Sequence, residues 1–339
     1  MLDVKVTRKV AVIVFVSMMS VATLSSLSPS SSSVSKQPVT LLTFDVDGTL
    51  VKSVKSNKQG HEQTIHAKAF MYAIGKSFTA DDTFSNEHSS PLDFIPPKRY
   101  HGSTDGLILL NTIQYAFNIQ SSAALSKLND MYRHMYEYFR DISDVDVANN
   151  IQPLPGVIET LKGLSSYRKS AIMCGLVTGN VEGIARKKMR AVGIYDTGVF
   201  HRKAADQVWD GEDEHSFLGG FGSDYCSGDI VDESRQFKDR GEQILITYRR
   251  ALSLLDENQD IVRVVHIGDA PNDVLAAKWC FEEGKFGPCV TVGCIGVATG
   301  SYSADTLKAF AGEPIKGLYE PVVLEDGIAD PSFISSCGL

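Results

Sequence analysis

Apolar runs rich in β-forming residues alternate along this chain with stretches whose apolar residues recur at helical spacing. Five such runs predict buried strands, at 39–44, 171–177, 261–267, 289–297 and 321–324. Apolar residues recur at helical spacing in 157–164, 243–255 and 304–311. A further helical stretch follows the second predicted strand and ends at Ala191. Strands that alternate with helices indicate a parallel sheet covered on both faces. We therefore predict an α/β fold built on a doubly wound, Rossmann-like parallel sheet.

The stretch between the first two predicted strands has a purely helical pattern. Apolar residues recur at helical spacing in 66–74, 106–117 and 123–139, and loops containing proline and serine separate these pieces. The sequence Pro153-Leu154-Pro155-Gly156 then stops the pattern, because proline and glycine interrupt helices. We therefore predict a helical insertion over 53–152. The core would comprise 38–52 and 153–326, and 327–339 would form a C-terminal tail.

The first 37 residues differ in composition from the rest of the chain. Lys5, Arg8 and Lys9 precede an apolar run at 10–24, and serine then dominates 25–35. A basic start, an apolar stretch and small residues are typical of a signal peptide. The apolar run is short for a membrane span, which needs about 20 residues. We predict a targeting segment over 1–37 that directs the chain to the secretory pathway or an organelle. An uncleaved membrane anchor and a cytoplasmic location are the less favoured alternatives.

Composition and charge narrow the classes of function. The 339 residues are 43% hydrophobic and 22% charged, as in ordinary globular proteins. The formal net charge of -8, with no long Lys/Arg run, argues against nucleic acid as a partner. An anionic substrate would then need a local positive site. The six cysteines contain no C-x-x-C pair, so we interpret Cys174, Cys289 and Cys294 as structural, buried thiols.

Polar side chains follow three of the predicted strands, at the point where each strand ends. Asp45 and Asp47 come after the first strand, Thr178 after the second, and Asp269 with Asp273 after the third. Ligands of open parallel sheets bind at the carboxyl ends of the strands. Each group alone could be a turn acid or a helix cap. Together they predict one site at one edge of the sheet.

The chemistry that suits this set is phosphoryl transfer. Asp45 could attack phosphorus and form an aspartyl-phosphate, while Asp47 could protonate the leaving group and later deprotonate water. Asp45 and Asp269 could bind a hard divalent cation such as Mg²⁺, which would offset their repulsion of the substrate. A calcium loop of the EF-hand type is excluded, because its spacing would require glycine and glutamate where Leu50 and Ser56 stand.

Three motifs resemble those of phosphatases in the haloacid dehalogenase superfamily. They are Asp45-Val46-Asp47-Gly48-Thr49, Leu176-Val177-Thr178-Gly179-Asn180 and Gly268-Asp269-Ala270-Pro271-Asn272-Asp273. The resemblance implies magnesium bound by Asp45, Asp269 and the backbone carbonyl of Asp47, with Asp273 supporting the waters of the metal. It also implies that Thr178 holds the phosphoryl group. The residues that we assign to phosphate binding are Gly48, Thr49, Thr178, Gly179, Asn180 and Arg240.

The family's remaining motif is a lysine or arginine that bridges nucleophile and phosphate, and we assign it to Arg240. The stretch 219–224 resembles the one that precedes this residue in a phosphoglycolate-phosphatase-like branch, but an extra piece, 225–239, interrupts it. Arg235 and Lys238 are the alternatives. The resemblance also implies that the insertion 53–152 is a helical cap that helps to select the substrate.

The resemblance therefore implies a magnesium-dependent phosphatase that acts on a small phosphorylated metabolite. Phosphoglycolate, a sugar phosphate and a nucleotide monophosphate all fit the core motifs, and the sequence leaves the oligomeric state open. A phosphomutase would carry the same motifs. A dehalogenase would not need the acid at Asp47. A protein that binds a phosphorylated ligand without catalysis is the alternative from another class, against which the intact set of acids argues.

Overall fold

The computed structural model describes residues 36–54, 64–79, 88, 90–167, 172–202 and 217–339. The predicted targeting segment therefore lies, up to residue 35, outside the described residues. Helices long and apolar enough to cross a membrane are not found in the part of the chain that the structure describes.

A six-stranded parallel sheet forms the centre of the fold. Its strands are β1 (Gln37–Phe44), β4 (Ile172–Thr178), β5 (Gly219–Phe221), β6 (Gln259–Gly268), β7 (Thr291–Val297) and β8 (Tyr319–Leu324), and they stand in the order β5-β4-β1-β6-β7-β8. All neighbouring pairs run parallel. The doubly wound α/β prediction is confirmed. The chain leaves β1 toward β4 on one side and returns to β6 on the other, so β1 marks the switch point of the sheet.

Helices cover both faces of the sheet. Those that belong to it are α6 (Val157–Ser165), α7 (Glu182–Ala191), α8 (Arg235–Leu252), α9 (Pro271–Glu282), α10 (Ala304–Ala311) and α11 (Phe333–Ser336). Strand β1 is buried on both faces, since Leu41 packs into one apolar cluster while Leu42 and Phe44 pack into the other. The second of these clusters also contains Phe333 and Cys337, which belong to the segment predicted as a tail.

Three details of the core differ from the sequence analysis. The sheet has a sixth strand, β5, where the sequence analysis predicted no strand. Helix α8 begins at Arg235, whereas the apolar spacing predicted a start near Gln243. The first turns of this helix bury Asp239 and Arg240, which are polar, so hydrophobic periodicity could not detect them. The prediction that Cys289 is buried is wrong: Cys289 is exposed ahead of β7, whereas Cys174 and Cys294 are buried.

Between β1 and β4 the chain forms a helical unit. Its helices are α1 (Ile65–Phe78), α2 (Asp105–Phe117), α3 (Ser121–Leu125), α4 (Leu128–Arg140) and α5 (Asp144–Asn150), and the antiparallel strands β2 (Val51–Ser53) and β3 (Ile151–Pro153) pair at its base. Its apolar cluster includes Phe70, Leu109 and Met135, and continues into the core through Ile184 and Ile230. The interpretation of this unit as a separate cap domain stays a prediction.

The loop ahead of α8 ties the core to this helical unit. Ile230 packs in the apolar cluster of the unit, and its carbonyl accepts a hydrogen bond from Arg99 Nη1 at 3.0 Å. Arg99 Nη1 also donates to Asn111 Oδ1 at 2.5 Å, so the contact reaches α2. Lys98 and Glu233 add an exposed ion pair at 2.7 Å. The piece predicted as an extra insertion, 225–239, thus supplies this loop and the first turn of α8.

We predict that Ile230→Ala lowers the free energy of unfolding by about 2–4 kcal/mol, because it opens a cavity in a buried cluster. The neighbouring Val231→Ala is the matched control. Ile230 is 7% exposed and Val231 is 83% exposed, so the control should change stability by less than about 0.5 kcal/mol. Urea unfolding of both variants measures the difference. Equal effects would contradict the packing described for this loop.

Candidate active site

The sheet brings the three predicted motifs to one edge. In the register of the strands, Phe44 of β1 lies beside Leu176 of β4 and Ile267 of β6. At this level β1 ends, whereas β4 continues to Thr178 and β6 to Gly268, so that Asp45, Thr178 and Asp269 all follow within two residues. The backbone N–H of Asp45 still donates to the carbonyl of Ile267 at 2.8 Å, which fixes Asp45 against the end of β6. The predicted convergence of Asp45 with the other motifs follows from this register.

Three buried carboxylates meet at this edge. Asp45, Asp269 and Asp273 each offer an oxygen, and these oxygens lie within 4.8 Å of one another. Burial, only partly offset by Arg240, raises the pKa of Asp45 to about 7. Burial, together with the charges of Asp45 and Asp273, raises the pKa of Asp269 well above its ordinary value. Like charges this close repel one another, so the cluster favours a bound cation.

Arg240 supplies a positive charge directly beside the carboxylates. Its Nη1 donates to Asp45 Oδ1 at 2.9 Å and to the carbonyl of Val177 at 3.1 Å, and its Nε lies 3.2 Å from Asp273 Oδ1. Burial alone would raise the pKa of Asp273, but Arg240 and His266 bring it below its ordinary value. The guanidinium group thus joins the residue after β1 to the first turn of α9.

The two alternatives to Arg240 lie elsewhere on α8. Arg235 Nε is 3.8 Å from Asp229 Oδ2 and 3.9 Å from Asp232 Oδ2, in the loop that precedes the helix. The ammonium of Lys238 lies over the ring of Phe237, 6.0 Å from its centroid. Of the three predicted cations, Arg240 is therefore the one that the structure brings to Asp45.

The loop after β4 is buried beside the helical unit. The Thr178 hydroxyl accepts from the backbone N–H of Asn180 at 3.3 Å, so its own proton remains as a donor. The carbonyl of Gly179 accepts from the backbone N–H of Asp105 at 2.8 Å. A Cβ at Gly179 would lie 2.6 Å from the carbonyl oxygen of Ser103, so glycine allows this close approach. Gly179 therefore serves the contact with α2, whereas its predicted role in phosphate binding stays a prediction.

The turn after β1 places Thr49 and Asp47 in different surroundings. The Oγ of Thr49 is buried without a hydrogen-bond partner among the described residues. Asp47 has a side chain that is 43% exposed and accepts from Lys188 Nζ at 2.6 Å. Desolvation raises the pKa of Asp47, but chiefly the charge of Lys188 and the hydrogen bonds donated by Lys188 and Asn180 bring it below its ordinary value. Asp47 is therefore a carboxylate at the rim of the buried cluster.

Comparison with known proteins agrees with this geometry. The family model described as haloacid dehalogenase-like hydrolase matches residues 39–280, which is more than half of the chain. The chain belongs to the haloacid dehalogenase-like hydrolases. No curated protein matches the sequence. The finer resemblance to the phosphoglycolate-phosphatase-like branch stays a prediction.

Several solved structures are similar to this hydrolase. A haloacid dehalogenase-like family protein from Streptococcus pneumoniae is 14% identical, with 85% of this chain and 95% of that chain covered and a TM-score of 0.37. A dehalogenase is 12% identical, covering 85% and 94%, with a TM-score of 0.33. An archaeal β-phosphoglucomutase from Pyrococcus sp. strain ST 04 is 14% identical, covering 80% and 98%, with a TM-score of 0.32. At these values the likeness carries no assignment of activity.

The acidic cluster fits the metal that hydrolases of this family typically use. Its donors are carboxylate oxygens, which are the ligands that hard divalent cations prefer. Two glycines leave room beside Asp269: a Cβ at Gly300 would lie 1.6 Å from its Oδ2, and a Cβ at Gly48 would lie 2.3 Å from it. Gly48 also has a φ of 91°, which residues other than glycine rarely adopt. The residues that surround the acids are thus compatible with a cation site.

Sequence reasoning missed two polar residues at this site. His266 lies on β6, with Nδ1 3.0 Å from the Thr43 hydroxyl and Nε2 3.4 Å from Asp273 Oδ1. Lys188 lies on α7 and contacts Asp47. His266 interrupts an apolar run and Lys188 ends the charged run Arg186-Lys187-Lys188, which normally marks a solvated face. The position of His266 inside an apolar run was therefore an available signal, whereas the charged run offered none for Lys188.

We predict that divalent cations raise the melting temperature of the wild-type protein and that Asp269→Asn removes this increase. Without added cation, the same variant should melt at a higher temperature than the wild type, because it has one fewer charge in the crowded cluster. Thermal unfolding with and without Mg²⁺ measures both changes. Asp260→Asn, at an exposed position, is the control. A full cation-induced increase in Asp269→Asn would show that the cation binds elsewhere.

Proposed function

We propose that this hydrolase cleaves small phosphomonoesters in a magnesium-dependent reaction that passes through a phosphorylated Asp45. The observation that carries the proposal is the pairing of Asp45 with Arg240 at 2.9 Å inside a buried acidic cluster. A carboxylate that is oriented by a guanidinium group beside a cation site is suited to attack an anionic phosphoryl group. Asp47, at the rim of the same site, adds a proton donor and acceptor.

In the first half of the reaction, an oxygen of Asp45 attacks phosphorus and the bond from phosphorus to the ester oxygen breaks. Arg240 holds the Oδ1 of Asp45 and provides positive charge close to the phosphoryl oxygens. The Thr178 hydroxyl, whose proton remains as a donor, can bind one of those oxygens. The leaving oxygen takes a proton from Asp47, which must enter this step in its protonated form.

The second half of the reaction begins with Asp45 phosphorylated and Asp47 deprotonated. Asp47, now a carboxylate, removes a proton from water, and the water oxygen attacks phosphorus. The bond between phosphorus and Asp45 breaks, which restores the Asp45 carboxylate and releases inorganic phosphate. The lowered pKa of Asp47 favours the form that accepts a proton in this half, and it disfavours the protonated form that the first half requires.

Magnesium is the cation that we propose for the acidic cluster. Asp45, Asp269 and Asp273 would hold it directly or through waters, together with the backbone carbonyl of Asp47. Bound there, it would neutralise the carboxylates and supply positive charge to the phosphoryl oxygens. The carboxylate donors favour a hard cation of this kind over a zinc ion, which prefers nitrogen and sulfur ligands.

A small substrate agrees with the way the helical unit meets the site. Asp105 at the start of α2 binds the loop after β4, through its N–H to the carbonyl of Gly179. Ser103 and Thr104 stand against the same glycine. The insertion thus contacts the loop that carries Thr178, which favours a small phosphorylated metabolite over a polymer as the substrate.

Asp47 also separates this function from its nearest rivals. A dehalogenase needs no proton donor at this position, so the rim carboxylate favours a phosphoryl-transfer enzyme. A phosphomutase would share every residue of the site, and its product would differ: the phosphoryl group would pass to a second substrate hydroxyl instead of water. Analysis of the products therefore distinguishes the two.

We predict that the full-length protein releases phosphate from a panel of small phosphomonoesters only with Mg²⁺ present, and that Asp45→Asn lowers the rate by a factor of about 10³ or more. The change removes the attacking oxygen with little change of volume, so circular dichroism should show an unaltered fold. Release of phosphate at the wild-type rate by Asp45→Asn would exclude the phosphorylated aspartate.

We further predict that Arg240→Ala lowers kcat/KM by about 10²–10³-fold, because it removes a preorganised positive charge from the transition state. Lys238→Ala, two residues earlier on α8, is the control and should retain wild-type kinetics. Steady-state assays of both variants, with circular dichroism as a check of folding, measure the difference. A large loss in Lys238→Ala with none in Arg240→Ala would reverse the assignment.

A further inference from the structure

The carboxyl group of Asp47 is fixed by a lysine and an amide rather than by its own turn. Lys188 Nζ donates to both of its oxygens, at 2.8 Å to Oδ1 and 2.6 Å to Oδ2. Asn180 Nδ2 donates to Oδ2 at 2.9 Å. Because the side chain of Asp47 is 43% exposed, packing alone does not hold it. Its orientation therefore depends on these bonds.

Lys188 has no donor left for any other task. Besides Asp47, its ammonium donates to Asn180 Oδ1 at 2.7 Å and contacts His66 Nδ1 at 3.3 Å. A lysine has three N–H donors, and four acceptor atoms, two of them on the Asp47 carboxylate, account for them. Its side chain is only 2% exposed. Lys188 is thus neither a solvated surface charge nor a free ligand for a second anionic group of the substrate.

His66 connects this lysine to the helical insertion. Because the ammonium donates to Nδ1, the ring proton stands on Nε2, which donates to Asp105 Oδ2 at 3.1 Å. Asp105 Oδ2 also accepts from the backbone N–H of Val181 at 2.8 Å. The ring of His66 stacks on Phe70, with centroids 5.0 Å apart. Asp105 and Phe70 therefore fix the ring of His66, which lies on α1 and contacts Lys188 through Nδ1.

The neighbouring lysine shows that this arrangement is specific to one position. Lys187 is also buried, but its ammonium donates to the carbonyls of Arg140 and Ile142 at the end of α4. It thus joins α7 to the insertion without contacting an acid of the site. The two adjacent lysines have the same chemistry and different partners.

We propose that Lys188 is a positioning residue, which fixes the carboxyl group of Asp47 for proton exchange with the leaving-group oxygen, and that His66 anchors Lys188 from the insertion. The inference rests on the proposed phosphatase function. It gives the insertion a part in the reaction itself, since the first turn of α1 helps to aim the proton donor. It also gives Asn180 a role through its side chain, which bridges the same two residues.

The test uses the dependence of the rate on the leaving group. Benzyl phosphate and p-nitrophenyl phosphate are similar in size, but only the benzyl alkoxide needs a proton as it leaves. The parameter kcat/KM covers the steps up to the phosphorylation of Asp45, so it reports on that proton. In the full-length protein, Lys188→Met should lower kcat/KM for benzyl phosphate by about 10²-fold. The loss with p-nitrophenyl phosphate should be much smaller.

A double variant shows whether Lys188 acts through Asp47. With benzyl phosphate, Asp47→Asn combined with Lys188→Met should lose no more than Asp47→Asn alone, because nothing remains to be positioned. Lys187→Met is the matched control and should affect the two esters by the same factor. His66→Phe keeps the stacking on Phe70 but removes the nitrogen, and should show a smaller loss that is again greater for the benzyl ester.

Three results would overturn the inference: equal losses with both esters in Lys188→Met, unchanged kinetics in that variant, or additive losses in the double variant. If Lys188→Met does not fold, as judged by circular dichroism, the comparison of the two esters in His66→Phe decides the matter by the same criterion. No phosphate release by the wild type from either ester would instead overturn the proposed function, and the positioning role with it.

Discussion

Burial of three carboxylates at one edge of the sheet is the constraint on which the rest of the site depends. Asp45, Asp269 and Asp273 have oxygens within 4.8 Å of one another, and the repulsion between them must be offset. Arg240 offsets part of this repulsion, because its guanidinium group forms ion pairs with Asp45 and Asp273. A bound cation would offset the remainder, and Gly48 and Gly300 leave the space around Asp269 open. The catalytic edge is therefore organised by charge as much as by packing.

The helical insertion is joined to this edge by polar contacts that reach residues proposed for catalysis. Asp105 bonds to the loop after β4 through both its N–H and its side chain. His66 reaches Lys188, which holds Asp47, and the loop around Ile230 ties the start of α8 to the same insertion. Arg240 lies only one turn into α8. Asp47, the proposed proton donor, and Arg240 thus both depend on elements that contact the insertion.

Membership of the haloacid dehalogenase-like hydrolases establishes the fold and the general class of the enzyme. The choice among hydrolysis of phosphate esters, transfer between hydroxyls and removal of halide depends on individual groups in the site. The carboxylate of Asp47 at the rim is the group that favours phosphoryl transfer. Its surroundings matter for the same reason, since an acid serves proton transfer only when it is held toward the leaving oxygen.

Sequence pattern was sufficient to predict five of the six strands, the order of the motifs and the acids that follow the strands. Buried parallel strands are continuous apolar runs, and the residues that end them must lie at one edge, so Asp45, Thr178 and Asp269 could be placed from local pattern alone. The choice among Arg235, Lys238 and Arg240 required the folded structure, and so did the contacts of Lys188 and His266. Arg240, Lys188 and His266 are buried polar or charged side chains, and each contacts a residue distant in sequence: Asp45, Asp47 and Thr43, respectively. Periodicity records which residues avoid water, and it cannot record a polar group whose burial depends on a contact made by the folded chain.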